Sequence, residues 1–93
     1  MYKLVTTTQF KKDLKKIKNN SRDFESAVLI LKILELKGVH GVPKNMKPHK
    51  LSGAYKDNWE CHIKPDLLII WFQIEEDYTI KLVRIGSHSE LFN

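Results

Sequence analysis

Four histidines occur in this 93-residue chain, and three of them, His49, His62 and His88, stand in its second half beside lysines, an aspartate and an arginine. Imidazole has an ordinary pKa of about 6.5, so both of its protonation states are within reach near neutral pH. A pair of imidazoles can therefore supply a base and an acid to one reaction. The signal is concentrated in Glu60-Cys61-His62-Ile63-Lys64-Pro65-Asp66 and in the tail Arg84-Ile85-Gly86-Ser87-His88-Ser89-Glu90-Leu91-Phe92. Between Lys44 and Lys56 stand Lys47 and Lys50 and no acid.

Imidazoles among cations suit RNA cleavage. RNA carries its own nucleophile, the 2′-hydroxyl. The protein must supply a base for that hydroxyl, cations for the crowded phosphate and an acid for the leaving 5′-oxygen. Lys50, Lys56 and Arg84 are candidates for holding phosphate, and Trp71, Tyr55 and Phe92 for stacking on a base, with Phe92, in the tail, the most available. Trp71 lies in an apolar run and reads as core. Other chemistries fit less well. Positions 49, 62 and 88 match no short metal-ligand spacing, and Cys61 and His62, adjacent on a strand, face opposite ways. Neither a metal nor another cofactor is expected. Ser87 and Ser89 flank His88 without the glycine pattern of a nucleophile elbow.

The length permits one small domain, taken as residues 1–93. Hydrophobic residues are 42% of the chain, enough for a core without staples, and one cysteine rules out an internal disulfide. That fits a reducing compartment, and a cytoplasmic protein is expected. No apolar leader follows Met1, and the run Leu67–Phe72 is far too short to span a bilayer. The net charge of +5 favours polyphosphate or acidic partners. Lys11, Lys12, Lys15, Lys16 and Lys18 form a second basic cluster, which a solvated helix face explains equally well.

Positioning elements follow from periodicity. Residues 2–6 read as a strand, and Thr8 as a helix N-cap. Phe10, Leu14 and Ile17 make one apolar stripe on a lysine-rich helix over 9–18. A second helix is expected over 22–37, with Phe24, Val28, Leu31 and Leu34 on its core face, Ile30 and Ile33 widening it, and Gly38 as its stop. Glycines and prolines mark 38–48 as a loop. Trp59, Cys61 and Ile63 alternate with Glu60 and His62 on a strand. Lys64-Pro65-Asp66 turns, 66–74 reads as a strand buried on both faces, and 78–85 as another. Ser87 and Glu90 have capping-box spacing. The class is α+β: an N-terminal strand, two helices, then an antiparallel sheet of three to four strands with the helices on one face. If the last two strands pair antiparallel, His88 falls at the sheet end that carries Asp66. His62 lies four residues before Asp66, and His49 enters from the long loop.

These residues also carry a resemblance. Leu51-Ser52-Gly53, Tyr55-Lys56, Glu60 through Leu68 and Arg84 through Phe92 resemble the YafQ branch of the RelE/ParE superfamily of bacterial type II toxins. The likeness runs nearly the length of the chain, and its specific part is residues 49–92. It implies a RelE-like microbial ribonuclease fold and an endoribonuclease that cuts mRNA on the translating ribosome. It implies a cognate antitoxin of the DinJ/RelB kind, with operator DNA bound only through the antitoxin complex. The catalytic positions of that family match His49, His62, Asp66 and His88. His88 is expected as general acid, His62 or His49 as base, and Asp66 as a group that orients an imidazole or shares the base role. Arg84 and Lys50 would hold the phosphate. Two rivals share the lysines: a basic module that occupies RNA or the ribosome without cutting, and an interaction protein whose tail histidine only caps a helix.

Overall fold

The computed structural model describes residues 1–92; Asn93 lies outside the described residues. The elements are β1 (Lys3–Thr6), α1 (Thr8–Ile17), α2 (Ser21–Lys37), β2 (His49–Lys50), β3 (Trp59–Lys64), β4 (Leu67–Ile74), β5 (Thr79–Gly86) and α3 (His88–Phe92), with short 3-10 turns at Gly38–Gly41, Lys44–Met46 and Gly53–Tyr55. One sheet runs in the order β1-β5-β4-β3-β2. The expected α+β class holds, but the sheet has five strands and is mixed, since β1 lies parallel to β5. The extra strand, His49–Lys50, is two residues long and follows directly on the glycine- and proline-marked stretch. Two residues carry no periodicity, so only pairing with Glu60 and Trp59 reveals it.

Capping decides where the helices begin. Thr7, one residue before the expected cap, accepts the Phe10 amide at 3.0 Å. Three consecutive threonines cap equally well by propensity. Thr7 prevails because its hydroxyl also reaches the Val83 carbonyl on β5 at 3.2 Å. Asn20 caps α2 by accepting the Asp23 amide at 3.1 Å. Gly38 closes that helix at φ 65°, and a Cβ there would fall 2.7 Å from the Tyr2 ring, so glycine answers two demands at once.

The two faces of the sheet differ. α1 and α2 cover one face around Phe10, Ala27, Ile30, Leu34, Cys61, Ile63, Ile69, Trp71, Ile80, Leu82 and Ile85. On α2 the buried positions are Ala27, Ile30 and Leu34, while Val28 is 37% exposed. The core face is thus rotated from the one expected, because Ala27 lets the helix approach closely where bulky side chains set the expectation. β4 alternates as a central strand should: Leu67, Ile69 and Trp71 join the helix-covered core, while Leu68 and Ile70 join Leu91 on the opposite face.

α3 is fastened to that second face by the expected capping box. The Ser87 amide donates to Glu90 Oε1 at 2.8 Å, and the Glu90 amide to Ser87 Oγ at 3.3 Å. A Cβ on Gly86 would sit 2.9 Å from that same Oε1, so the bare glycine gives the cap its room.

Candidate active site

Strand register lays out the floor of the open face. Arg84 pairs with Ile70, Ile70 with Glu60, and Glu60 with His49, which makes one row across four strands. The next row is Gly86, Leu68 and His62. Side chains two residues apart on a strand share a face, so Glu60 and His62 point together, as expected.

At one end of the floor two imidazoles share one carboxylate. Glu60 is 4% exposed. Its Oε1 lies 3.3 Å from His49 Nε2 and 3.8 Å from His62 Nε2. Its Oε2 is buried with no hydrogen-bond partner among the described residues. The other ring nitrogen of His49, Nδ1, meets the Lys47 carbonyl at 2.7 Å. Lys47 has left-handed backbone, φ 54° and ψ 55°. A carbonyl oxygen can only accept, so Nδ1 donates to it, and Nε2 is the nitrogen that faces Glu60. A cleft of about 470 Å³ opens beside His62, lined by Asn45, Met46, Lys47, Lys64 and Pro65.

The other end is built by β5, α3 and the β3–β4 turn. Asp66 Oδ1 accepts the backbone amide of His88 at 3.2 Å. This brings Asp66 and His88 to the same sheet end, as the antiparallel pairing predicts, although the partner of the carboxylate is a backbone amide and not an imidazole. The His88 ring packs on Phe92 with centroids 5.0 Å apart. Phe92 stands edge-on to Tyr55 at 5.8 Å. Arg84 Nη1 approaches the Tyr55 hydroxyl at 3.4 Å.

The expected phosphate holders differ in their freedom. Lys56 is exposed. Lys50 Nζ lies 5.5 Å from the Trp59 ring centroid, a cation–π distance. Arg84 is clamped: Nε donates to Asp13 Oδ2 at 2.8 Å and Nη2 to Oδ1 at 3.2 Å. Burial alone would raise the Asp13 carboxyl, but hydrogen bonds from Arg84, Gln9 and the Ile85 amide outweigh it and hold the group below the usual carboxylate range. The Asp13 hydrogen bond in turn raises Arg84, which stays charged. Cys61 is buried on the helix side, and burial, with the Glu60 charge, pushes its thiol up to about 12, which leaves it no role as a nucleophile.

A protein-family model for the bacterial toxin of type II toxin-antitoxin systems, YafQ, matches residues 2–93. The chain belongs to the YafQ family. The mRNA interferase toxin YafQ of Escherichia coli K12 is 26% identical over 84 residues, covering 90% of this chain and 88% of that protein. A metal-bound toxin from Helicobacter pylori is 38% identical, with a TM-score of 0.84 over 99% of this chain and all of the other. YafQ in the E. coli DinJ–YafQ complex superposes with a TM-score of 0.83 at 24% identity, with both chains fully covered, and that likeness speaks for the fold. As to metal, no group of three or more His, Cys, Asp or Glu among the described residues is arranged to hold an ion.

Sequence reasoning missed two acids. Glu60 reads as one more polar residue on an alternating strand; its signal is a histidine two places on, sharing its face. Asp13 falls on the apolar stripe between Phe10 and Ile17, three and four residues away, where a charge demands a partner. Lys47 and Lys64 line the cleft beside His62, and nothing in their spacing gives either of them a role.

Proposed function

We propose that this chain is the toxin of a type II toxin–antitoxin system and an endoribonuclease that cuts mRNA on the translating ribosome. The 2′-hydroxyl is the nucleophile. His62 takes its proton, and Glu60, beside His62 Nε2, steadies the imidazolium that forms. The 2′-oxygen attacks phosphorus, the bond to the 5′-oxygen breaks, and His88 gives that oxygen its proton. The products are a 2′,3′-cyclic phosphate and a 5′-hydroxyl. His49, with Nδ1 held by the Lys47 carbonyl and Nε2 facing Glu60, keeps that carboxylate in place and leaves the base role to His62. Asp66 sets the position of His88 through its backbone. Arg84, Lys50 and Lys56 hold phosphate, and Phe92 stacks on a base. The observation that carries this reading is Oε1 of the buried Glu60, 3.3 and 3.8 Å from two imidazoles.

The named activity of the E. coli relative, an mRNA interferase, supports the substrate. The DinJ–YafQ complex supports a cognate antitoxin of the DinJ/RelB kind as partner. Operator DNA would be bound only through that complex. No helix among the described residues is long and apolar enough to cross a membrane. The reading places the protein in the cytoplasm, where its substrate is.

The test is induced expression of the wild-type chain beside His88→Gln, with growth followed and mRNA 5′ ends mapped. Growth arrest with new ends that vanish in the variant is expected. Arrest that persists in the variant without new ends would mean a non-catalytic module that blocks translation.

A further inference from the structure

Asp13 is a charged residue on the buried stripe of α1. It is 4% exposed and uses both carboxylate oxygens fully. Oδ1 accepts from Gln9 Nε2 at 3.0 Å and from Arg84 Nη2 at 3.2 Å. Oδ2 accepts from Arg84 Nε at 2.8 Å and from the Ile85 amide at 3.1 Å. Stability is a weak reason for such a pair, because well-packed apolar residues often replace a buried ion pair without weakening the fold. What the pair does provide is orientation.

The guanidinium has five N–H donors in a rigid fork. Asp13 occupies the Nε side of that fork and leaves the Nη1 edge turned toward Tyr55, whose ring meets Phe92 beside His88. A free arginine would have somewhere else to go. Glu60, with its unpartnered Oε2, lies in the same cross-strand row, separated from Arg84 by Ile70 alone. Two strand spacings are roughly 10 Å, a span that the two side chains together can bridge. An unclamped Arg84 would fold onto Glu60 and take the carboxylate that His49 and His62 share.

We propose that Asp13 is a positioning residue of this site: it fixes the Arg84 guanidinium so that its free edge meets an RNA phosphate, and it keeps that cation off Glu60. The proposal rests on the ribonuclease reading above. It assigns a task to α1, the helix that lies along β5.

The experiment compares wild type, Asp13→Asn, Asp13→Glu, Arg84→Gln and the double variant Asp13→Asn/Arg84→Gln. Circular dichroism first fixes a temperature at which each chain is folded. Binding to a short single-stranded RNA is then measured against salt in a His88→Gln background, and cleavage of ribosome-bound mRNA in the parent background. Removing one cation from a phosphate of single-stranded RNA lowers the slope of log K against log salt by about 0.7. Arg84→Gln and Asp13→Asn are each expected to lower it by that amount, and the double variant by no more. In cleavage, Asp13→Asn is expected to lower kcat by up to about 100-fold, the scale of an ångström-sized misplacement. Asp13→Glu, which keeps the charge, should recover part of both. A folded Asp13→Asn chain with unchanged slope and unchanged kcat overturns the proposal. Additive effects in the double variant overturn it too. Should the wild-type chain bind RNA with an Asp13-dependent slope yet cut nothing, the positioning role stands and the ribonuclease reading falls.

Discussion

The two faces of the sheet put the same strands to opposite uses. On the helix-covered face Cys61, Ile63, Ile69 and Trp71 are buried among apolar neighbours. One residue over on β3 and β4, Glu60, His62, Leu68 and Ile70 form the open face. The first face is held by burial, at about 1.5–3 kcal/mol for each large apolar side chain. The second carries a buried acid with an unpartnered oxygen, a lysine with left-handed backbone and a row of charges. Such features cost stability, and natural proteins keep them where function needs them. The difference teaches that the helix-covered face carries most of the apolar burial, while the polar groups gather on the other, beside the smaller cluster of Leu68, Ile70 and Leu91.

Breaking the covered face should have the largest effect on folding. Trp71→Ala is expected to cost about 3–5 kcal/mol, measured by urea unfolding, and to abolish activity only by unfolding the chain. A cost under about 1 kcal/mol would mean that the two faces are not divided in this way. Glu60→Gln sharpens the comparison from the other side. It should lower cleavage by about 10²-fold or more, the scale of a disabled acid–base pair, while the melting temperature stays level or rises. A variant that is less stable and fully active would reverse the roles given to the two faces.

Acid acts on both sides. The folded-state pKa of Asp13 is lowered, so its contribution is present above the unfolded value, about 3.9, and is lost as pH falls through the lower folded one. Glu90, held down first by the Ser87 amide and then by the Ser87 hydroxyl, behaves in the same direction. Stability followed by circular dichroism should therefore drop below about pH 4, and Asp13→Asn should flatten that drop. An identical acid limb in the variant would show that the Asp13 clamp contributes nothing there. The smallest effect is expected at Gly86→Ala. The new methyl meets the end of a flexible glutamate, so the cap on α3 shifts at a cost of about 1 kcal/mol. Cleavage should fall by more than that change in stability explains, because His88 moves with the cap.

Much of the candidate site can be read along the chain. His62 and Asp66 share a hairpin, and the Ser87–Glu90 spacing places His88 at a helix start, so local rules of strand, turn and cap suffice. The relations across the sheet are less legible. Nothing near Asp66 in sequence says that its partner is the amide of His88. His49 reads as a candidate by its residue type and neighbours, but the two-residue strand that seats it against Glu60 has no pattern of its own.

The sequence by itself determined the α+β class, the alternation that separates Cys61 from His62, the doubly buried β4 and the family resemblance, because each rests on residue types at short, regular spacing. Only the tertiary structure decided that Thr7 rather than Thr8 caps α1, that Ala27 centres the buried face of α2, that β1 joins the sheet in parallel, and that Asp13 and Arg84, 71 residues apart, form one ion pair. These outcomes depend on close approach and on competition among partners for buried charge, and those terms take values only once the chain is folded.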